Sequence, residues 1–292
     1  VILSLRRWLD SHHGSEVAVT APRRIDLVRL APFILVHLAC LLVLLVGISP
    51  IAVGLAVVLY VVRMFGITAG YHRHFSHRAF SAPRWVSFLL AVLGGSAGQR
   101  GALWWAAHHR HHHRHSDDAE DLHSPLQHGF WWSHVGWFLA DGAYRTRLEL
   151  VPDLASRPEL VWLDRFDAVA PATLAALCWV LGWWLGGLGW DTSGAQLLVW
   201  FCISTVVLAH ATFCVNSVMH VWGTRPFATK DTSRNNALIA LLVLGEGWHN
   251  NHHRYPGSAR QGFHWWQVDV TWYVLVMLSW FGLVGRLRSR PI

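Results

Sequence analysis

Two long apolar runs dominate the first quarter of the chain. Residues 31–47 (APFILVHLACLLVLLVG) carry no acidic, lysine or arginine residue, and a second run starts at Ile51 and continues as a helical pattern toward Gly70. Each approaches the roughly 20 residues that a helix needs to cross about 30 Å of hydrocarbon. Only the turn Ile48-Ser49-Pro50 separates them, so the pattern predicts a helical hairpin. Residues 168–188 and 196–215 predict a second hairpin, joined through LGWDTSG. Neither connection holds arginine or lysine, whereas the outer flanks do. The positive-inside rule therefore places both chain ends in the cytoplasm.

Between and after the hairpins the pattern turns polar. Residues 71–167 and 216–292 are expected to form a cytoplasmic cap. Within it, 84–98 and 235–246 are apolar but too short to cross. Residues 263–285 are apolar and rich in tryptophan, and a fifth span there would carry Arg286, Arg288 and Arg290 outside, against the charge rule. An interfacial helix is the expected form. The expected fold class is an all-α integral membrane protein, a single domain over 1–292. Its four transmembrane helices (about 31–47, 51–70, 168–188 and 196–215) would form two hairpins beneath a helical cap that holds a dimetal site.

Composition supports a membrane chain. It is 53% hydrophobic and 14% charged, with 19 Trp and 24 Gly, whereas a soluble domain is usually about 25% charged. The formal charge of +7 rests almost wholly on arginine, Lys230 being the lone lysine. Those arginines, among them Arg6, Arg7, Arg23, Arg24 and Arg29 ahead of the first run, flank apolar spans. No nucleic-acid motif accompanies them, so the charge points to anionic headgroups or an acidic partner. Residues 1–30 read as a peripheral segment without a cleavable signal. Cys40, Cys178, Cys202 and Cys214 lie in apolar runs without a CxxC pair, which argues against a disulfide framework or thiolate metal site.

The chemistry lies in the histidines. Of 21, twelve fall between His72 and His134, and three clusters stand out: 71-YHRHFSH-77, 108-HHRHHHRH-115 and 249-HNNHH-253. Positions i, i+3 and i+4 share a helix face, a pattern that fits His109, His112 and His113, and equally His249, His252 and His253. His108, His111 and His112 fit it too, and spacing does not choose between the registers. Asn216 and His220 in 216-NSVMH-220 are one turn apart. On an α-helix His72 and His77 diverge by about 140°, which suits two neighbouring metals better than one. His12, His13, His74, His123 and His128 have no such pattern, and His37 and His210 fall inside spans as polar helix contacts. Imidazole suits iron, zinc, copper and nickel. Eight or more well-spaced histidines exceed the needs of one ion and indicate two.

The segments 66-GITAGYHRHFSH-77, 109-HRHHH-113, 133-SHVGW-137, 216-NSVMH-220 and 245-GEGWHNNHHRYP-256 together resemble the membrane fatty acyl desaturases, specifically the acyl-CoA Δ9 (stearoyl-CoA-type) group and its bacterial relatives, over roughly residues 35–285. The resemblance implies two irons in the cytosolic part, in a bacterial inner membrane. One iron would take His72, His109, His112 and His249, with Asn216 joining through a water. The other would take His77, His113, His220, His252 and His253. It also implies O2-dependent removal of two hydrogens from a saturated long-chain acyl group, giving a cis double bond. Electrons would come from a separate ferredoxin or cytochrome b5-like donor with its reductase, and zinc is an expected stand-in for iron in overexpressed protein. Gln99, Trp104, Trp105, Trp132, Trp137 and Trp248 are candidates for the acyl tunnel or its cap.

The stretch 98-GQRGALWWAAH-108 departs from the animal acyl-CoA enzymes. Arg100, Gly101 and His108 stand where those carry polar or acidic residues, which weakens the inference to coenzyme A although acyl-CoA stays the favoured substrate. A diiron lipid hydroxylase is the alternative enzyme, separated by product mass. A non-enzymatic membrane metal-binding protein is the alternative of another class.

Overall fold

The computed structural model describes residues 8–12 and 24–289. Most of the peripheral segment read at residues 1–30, together with His13, Arg6, Arg7, Arg23 and Arg290, lies outside that range. Among the described residues the fold is all-helical, with four helices long and apolar enough to cross a membrane: Leu27–Val46, Pro50–Ser76, Val169–Gly187 and Gly194–His220.

The first span consists of α1 (Leu27–Cys40) and a short continuation over Val43–Val46. It starts earlier than its apolar run, because Asp26 accepts the backbone N–H groups of Val28 and Arg29 and so caps the helix there. Arg29, expected ahead of the span, is thus inside the helix. Gly47, at φ +72°, ends it. Ser49 then caps α2 (Pro50–Phe65), accepting from the Ala52 N–H, with Pro50 at the first helical position. The Ser49 hydroxyl also donates to Gln196 Oε1 at 2.8 Å, which pins the first turn to the second hairpin. Exposed side chains such as Leu44 and Leu45 (84% and 82%) face outward along the first span, as lipid contact requires.

Beyond Phe65 the second span does not stop but widens into a π-helix over Gly66–Ser76. It carries the first histidine cluster out of the apolar zone. Helix α3 (Arg84–Gly95) packs directly against it. A Cβ at Gly66 would sit 2.6 Å from the Gly94 nitrogen, and one at Gly94 would sit 2.3 Å from the Tyr71 ring, so this contact admits only glycine. Helix α4 (Ala102–His115) then presents the second cluster. The second hairpin is α5 (Val169–Gly187) and α6 (Gly194–Asn216), the latter capped by Ser193 and running on through a 3-10 turn to His220.

The remaining apolar stretches are short. Helix α7 (Ala237–Leu242) and helix α9 (Val270–Trp280) flank α8 (His249–Arg254), which bears the third cluster. The eleven residues of α9 extend about 16 Å, half of what a span needs. Tyr273, Met277 and Trp280 are exposed along it. Hydrogen bonds from the Tyr60 hydroxyl to the Leu242 carbonyl, and between Thr68 and Thr271, hold α7 and α9 to the second span, each at 2.7 Å.

Candidate metal centre

The three clusters converge at the cap end of the spans. His72, His77, His109, His113 and His252 each bring one ring nitrogen to a common point, all within 4.8 Å of one another. His112, His220, His249 and His253 do the same a short distance away. Nine histidines from four segments therefore meet, in a grouping that differs from the one the resemblance implied. His112 and His249 part from His72 and His109, and His220 and His253 part from His77, His113 and His252.

Helix geometry explains the division. On an α-helix residues four apart lie within about 40° of one face, whereas adjacent residues diverge by about 100°. His109 and His113 thus share the first group and His112 turns to the second. On α8, His249 and His253 share the second group and His252 turns to the first. His72 and His77 share a group because their segment is a π-helix. Its ladder bonds span five residues, and the His77 N–H donates to the His72 carbonyl at 3.2 Å. The α-helical reading, which sent them to different metals, does not hold here. Asn216 stands at the end of α6, where its backbone carbonyl accepts the Ser133 hydroxyl at 2.9 Å.

Acidic residues behind the imidazoles fix their orientation. The Nδ1 of His72 lies 2.5 Å from Glu246, that of His112 3.0 Å from Asp121, that of His220 3.3 Å from Asp117 and that of His253 2.8 Å from Asp231. With Nδ1–H donated to a carboxylate, each Nε2 keeps its lone pair for the centre. The Nε2 of His253 is buried with no hydrogen-bond partner among the described residues, a costly arrangement unless a cation meets it. The donor set thus fits a metal centre on its own chemistry. Sequence reading missed all four carboxylates, and also His123, whose Nδ1 lies 2.8 Å from Asp121 and whose ring stands 4.4 Å from that of His112. Glu246 lies three residues before His249 and was the one with a local signal. Asp231 meets His253 only through folding.

Electrostatics follow from burial. Desolvation, reinforced by neighbouring imidazoles, holds His77, His109, His113, His249 and His252 well below the ordinary histidine range, so they are neutral and able to ligate. Burial opposes ionisation of Glu246, yet His72 and Arg73 outweigh it and bring the carboxyl down to about 2. His112 and His123 likewise hold Asp121 far below the usual carboxylate range against its own burial.

A cavity of about 570 Å³ runs from the cap into the spans, within the usual range for ligand sites. His72, His109, His112 and His249, drawn from both groups, stand on its wall. Gln99, Trp104, Trp105 and Trp137 also line it. Gln99 donates to Thr212 at 2.6 Å, Trp104 stacks on Trp137 with centroids 5.6 Å apart, and Trp105 stacks on His109 at 4.8 Å. Trp132 and Trp248 do not reach the wall. The Trp132 indole N–H donates to the Leu122 carbonyl, and that of Trp248 to the Val268 carbonyl beside Trp266, which turns both rings into the cap packing.

Comparison with known proteins agrees with this architecture. The family model for fatty acid desaturases matches residues 48–281. The chain belongs to the fatty acid desaturase family. It is an oxidoreductase of that family, which sets aside a purely metal-carrying role. This desaturase is 38% identical over 245 residues to the sn-2 palmitoyl-lipid 9-desaturase of Nostoc sp. (strain 36), covering 82% of each chain. It is 35% identical over 240 residues to the sn-1 stearoyl-lipid 9-desaturase of Anabaena variabilis, covering 81% of this chain and 84% of the relative. It is 39% identical over 230 residues to the acyl-CoA C20 Delta5-desaturase of Anemone leveillei, covering 77% and 70%.

Proposed function

We propose that this desaturase introduces a cis double bond at the Δ9 position of a saturated long-chain acyl group, in an O2-dependent reaction. Its two irons would be held by the nine histidines in the groups described above. Asn216 would join through a water on the side of His220, four residues further along the chain. When bound, the irons would activate O2, the oxidant, which takes two electrons and two protons from an unactivated methylene pair and two of each from the external donor and solvent, leaving the double bond and two waters. The observation that carries this reading is the placement of imidazoles from both groups on the wall of one largely apolar cavity.

The chain's own residues supply positioning. Methylenes leave water for the cavity at about 0.8 kcal/mol each, and the Gln99–Thr212 bond fixes the wall beside them. Trp105, stacked on His109, and Trp104 on Trp137 hold the acyl chain to one path and keep bulk water from the centre. The carboxylates Glu246, Asp121, Asp117 and Asp231 keep the imidazole tautomers fixed through turnover. On the cavity wall the Arg100 guanidinium lies 3.5 Å from the Tyr144 ring centroid and pairs with Asp167 at 2.8 Å, and its remaining donors are a setting for the phosphate of either coenzyme A or a lipid headgroup. The Nostoc and Anabaena relatives act on acyl lipids by name and the Anemone relative on acyl-CoA, so both carriers belong in the test. The metal site and both chain ends face the cytoplasm, where a ferredoxin or cytochrome b5-like protein delivers electrons, and the membrane is a bacterial inner membrane.

The deciding experiment reconstitutes the iron-loaded protein with O2, an electron donor, and stearoyl chains on coenzyme A or on phospholipid. A product two hydrogens lighter, with its double bond mapped to C9, is the expected result. A product heavier by one oxygen means hydroxylation. His109→Ala and His252→Ala should abolish turnover with little effect on membrane insertion, and near-normal activity in either would overturn the assigned centre.

A further inference from the structure

Three histidines outside the metal centre form a hydrogen-bonded column. His37 stands on the first span, His210 on the fourth, and His134 on the short π-helical segment Trp132–Gly136. The Nε2 atoms of His37 and His210 are 3.0 Å apart, and His210 Nδ1 is 3.0 Å from His134 Nε2. A backbone carbonyl fixes each end. His37 Nδ1 lies 2.7 Å from the Phe33 carbonyl. His134 Nδ1 lies 2.9 Å from Ser217 Oγ, which donates to the Phe213 carbonyl at 3.0 Å.

A carbonyl only accepts, and a neutral imidazole has one N–H and one lone pair. His37 therefore spends its N–H on Phe33 and turns a lone pair toward His210. From the other end, Ser217 gives its proton to Phe213, so His134 donates from Nδ1 and accepts at Nε2. His210 then donates from Nδ1, and its Nε2 lone pair faces that of His37. Three neutral rings thus make four of the five hydrogen bonds, and one added proton between His37 and His210 completes the fifth. A cation inside a span persists only where the structure gives it partners. Here the Phe33 ring lies 4.3 Å from the His37 ring and the Phe213 ring 5.6 Å from that of His210, within reach of cation–π attraction. The other charged or titratable side chains within about two turns on these helices are Arg29, Cys40, Cys202 and Cys214, and His134 faces the pair from the cap segment. Burial pushes His134 below the ordinary histidine range, which leaves the charge at the His37–His210 end.

We infer that this column holds one proton between the first and fourth spans and, through His134, positions the turn that carries Asn216 and His220. Ser133 donates to the Asn216 carbonyl at 2.9 Å, and the His220 N–H donates to the Ser217 carbonyl at 3.3 Å. The residue that His134 holds therefore starts the turn that delivers His220 to the second histidine group. His134 is a positioning residue in this arrangement. That role rests on the desaturase reading, whereas the proton does not.

Two measurements on the full-length protein in lipid bilayers test the column. The first is nitrogen-15 NMR of histidine-labelled protein loaded with zinc in place of iron, at about pH 8, where exposed histidines are neutral. The parent should show an imidazolium signal that is absent from His37→Phe and from His37→Gln, whose amide offers His210 an N–H instead. No such signal in the parent, or one unchanged in both variants, overturns the proton. The second is chelator competition for bound iron. His134→Asn keeps an amide N–H close to where Nδ1 sits, and His134→Leu does not. His134→Leu should hold one of its two ions about tenfold more weakly, the lower end of the loss when a supporting group is removed, with His134→Asn close to the parent. Packing alone predicts the reverse order, because leucine fills more of the ring's volume than asparagine. That order, or parental affinity in both variants, overturns the positioning role. If the parent binds no pair of ions, it is the desaturase reading that has failed, and the imidazolium signal decides the proton on its own.

Discussion

His77 lies five residues after His72, donates its backbone N–H to the His72 carbonyl at 3.2 Å, and holds its ring 4.8 Å from the His72 ring at 88°. The wide turn that makes this possible is kept in place from outside. Gly66 and Gly94 let the π-helix and α3 approach until Tyr71 covers the Gly94 Cα, and the Tyr71 hydroxyl donates to the Arg100 carbonyl at 3.0 Å.

Gly94→Ala tests that dependence. Its Cβ would fall 2.3 Å from a ring atom of Tyr71, and overpacking of this kind costs about 1–3 kcal/mol. Because Tyr71 precedes His72, the displaced ring moves the first cluster with it. The variant should unfold at lower temperature and retain less iron after purification. Unchanged iron content with unchanged thermal stability would show that the contact does not position His72.

Glu246→Gln keeps the shape of the side chain and removes its charge. Glu246 lies between His72 Nδ1 at 2.5 Å and Arg73 Nε at 3.0 Å. Without the carboxylate the His72 tautomer is no longer fixed and the buried Arg73 keeps only Asp269 as an acidic partner, at 2.9 Å. Loss of such a supporting group typically lowers metal affinity about 10–100-fold. Competition with a chelator measures it, and parental affinity in the variant would remove Glu246 from the centre.

The four spans were legible from length and hydropathy, and the histidine clusters from their spacing on a helix, but spacing left the registers of His108 and His109 open, and the set of nine came from the family resemblance. The grouping of those histidines was not legible. His72 and His77 look divergent on any α-helical projection, and nothing in GITAGYHRHFS announces a π-helix before α3 packs against Gly66. The boundary of the first span was set by Asp26 rather than by hydropathy. Asp117 and Asp231 reach His220 and His253 across 103 and 22 residues, separations at which spacing carries no information. Trp248, a candidate for the tunnel or its cap, precedes the first residue of α8 in a non-helical conformation and donates its indole N–H to the Val268 carbonyl beside Trp266.

Acid should destabilise the metal-free protein, and the sign is the same for both residue types. Histidines held below their ordinary value stay neutral when folded and take up protons when unfolded, so their contribution falls as pH drops below about 6.5. Glu246, lowered to about 2 from an ordinary 4.5, contributes fully above its unfolded value and loses this as pH falls through the folded one. Thermal unfolding of the metal-free chain should therefore occur at progressively lower temperature from about pH 7 to pH 5. His113→Ala should flatten that dependence. A profile that is level over this interval would mean that the imidazoles are not buried as neutral groups.

Arg110 joins the first two clusters from the side opposite the centre. Its guanidinium donates to the Phe75 carbonyl at 2.6 Å, the Ser76 carbonyl at 3.0 Å and the Leu150 carbonyl at 3.2 Å, and pairs with Asp153 at 2.7 Å. It thereby clamps the end of the π-helix against α4, where His77 and His109 bring their Nε2 atoms to 2.7 Å. Lysine carries the same charge but is a point donor without the planar fork, so Arg110→Lys keeps at most part of the clamp. Each lost charged hydrogen bond is worth about 1.5–3 kcal/mol, and the strain falls on the group of His72, His77, His109, His113 and His252. The second group gains its orientation from Asp117, Asp121 and Asp231 and does not depend on Arg110. The iron bound by Arg110→Lys should therefore fall from two ions toward one, with desaturation lost in proportion to the missing ion. Equal loss from both groups, followed by the iron spectrum during titration, would show that the clamp acts on the whole cap instead.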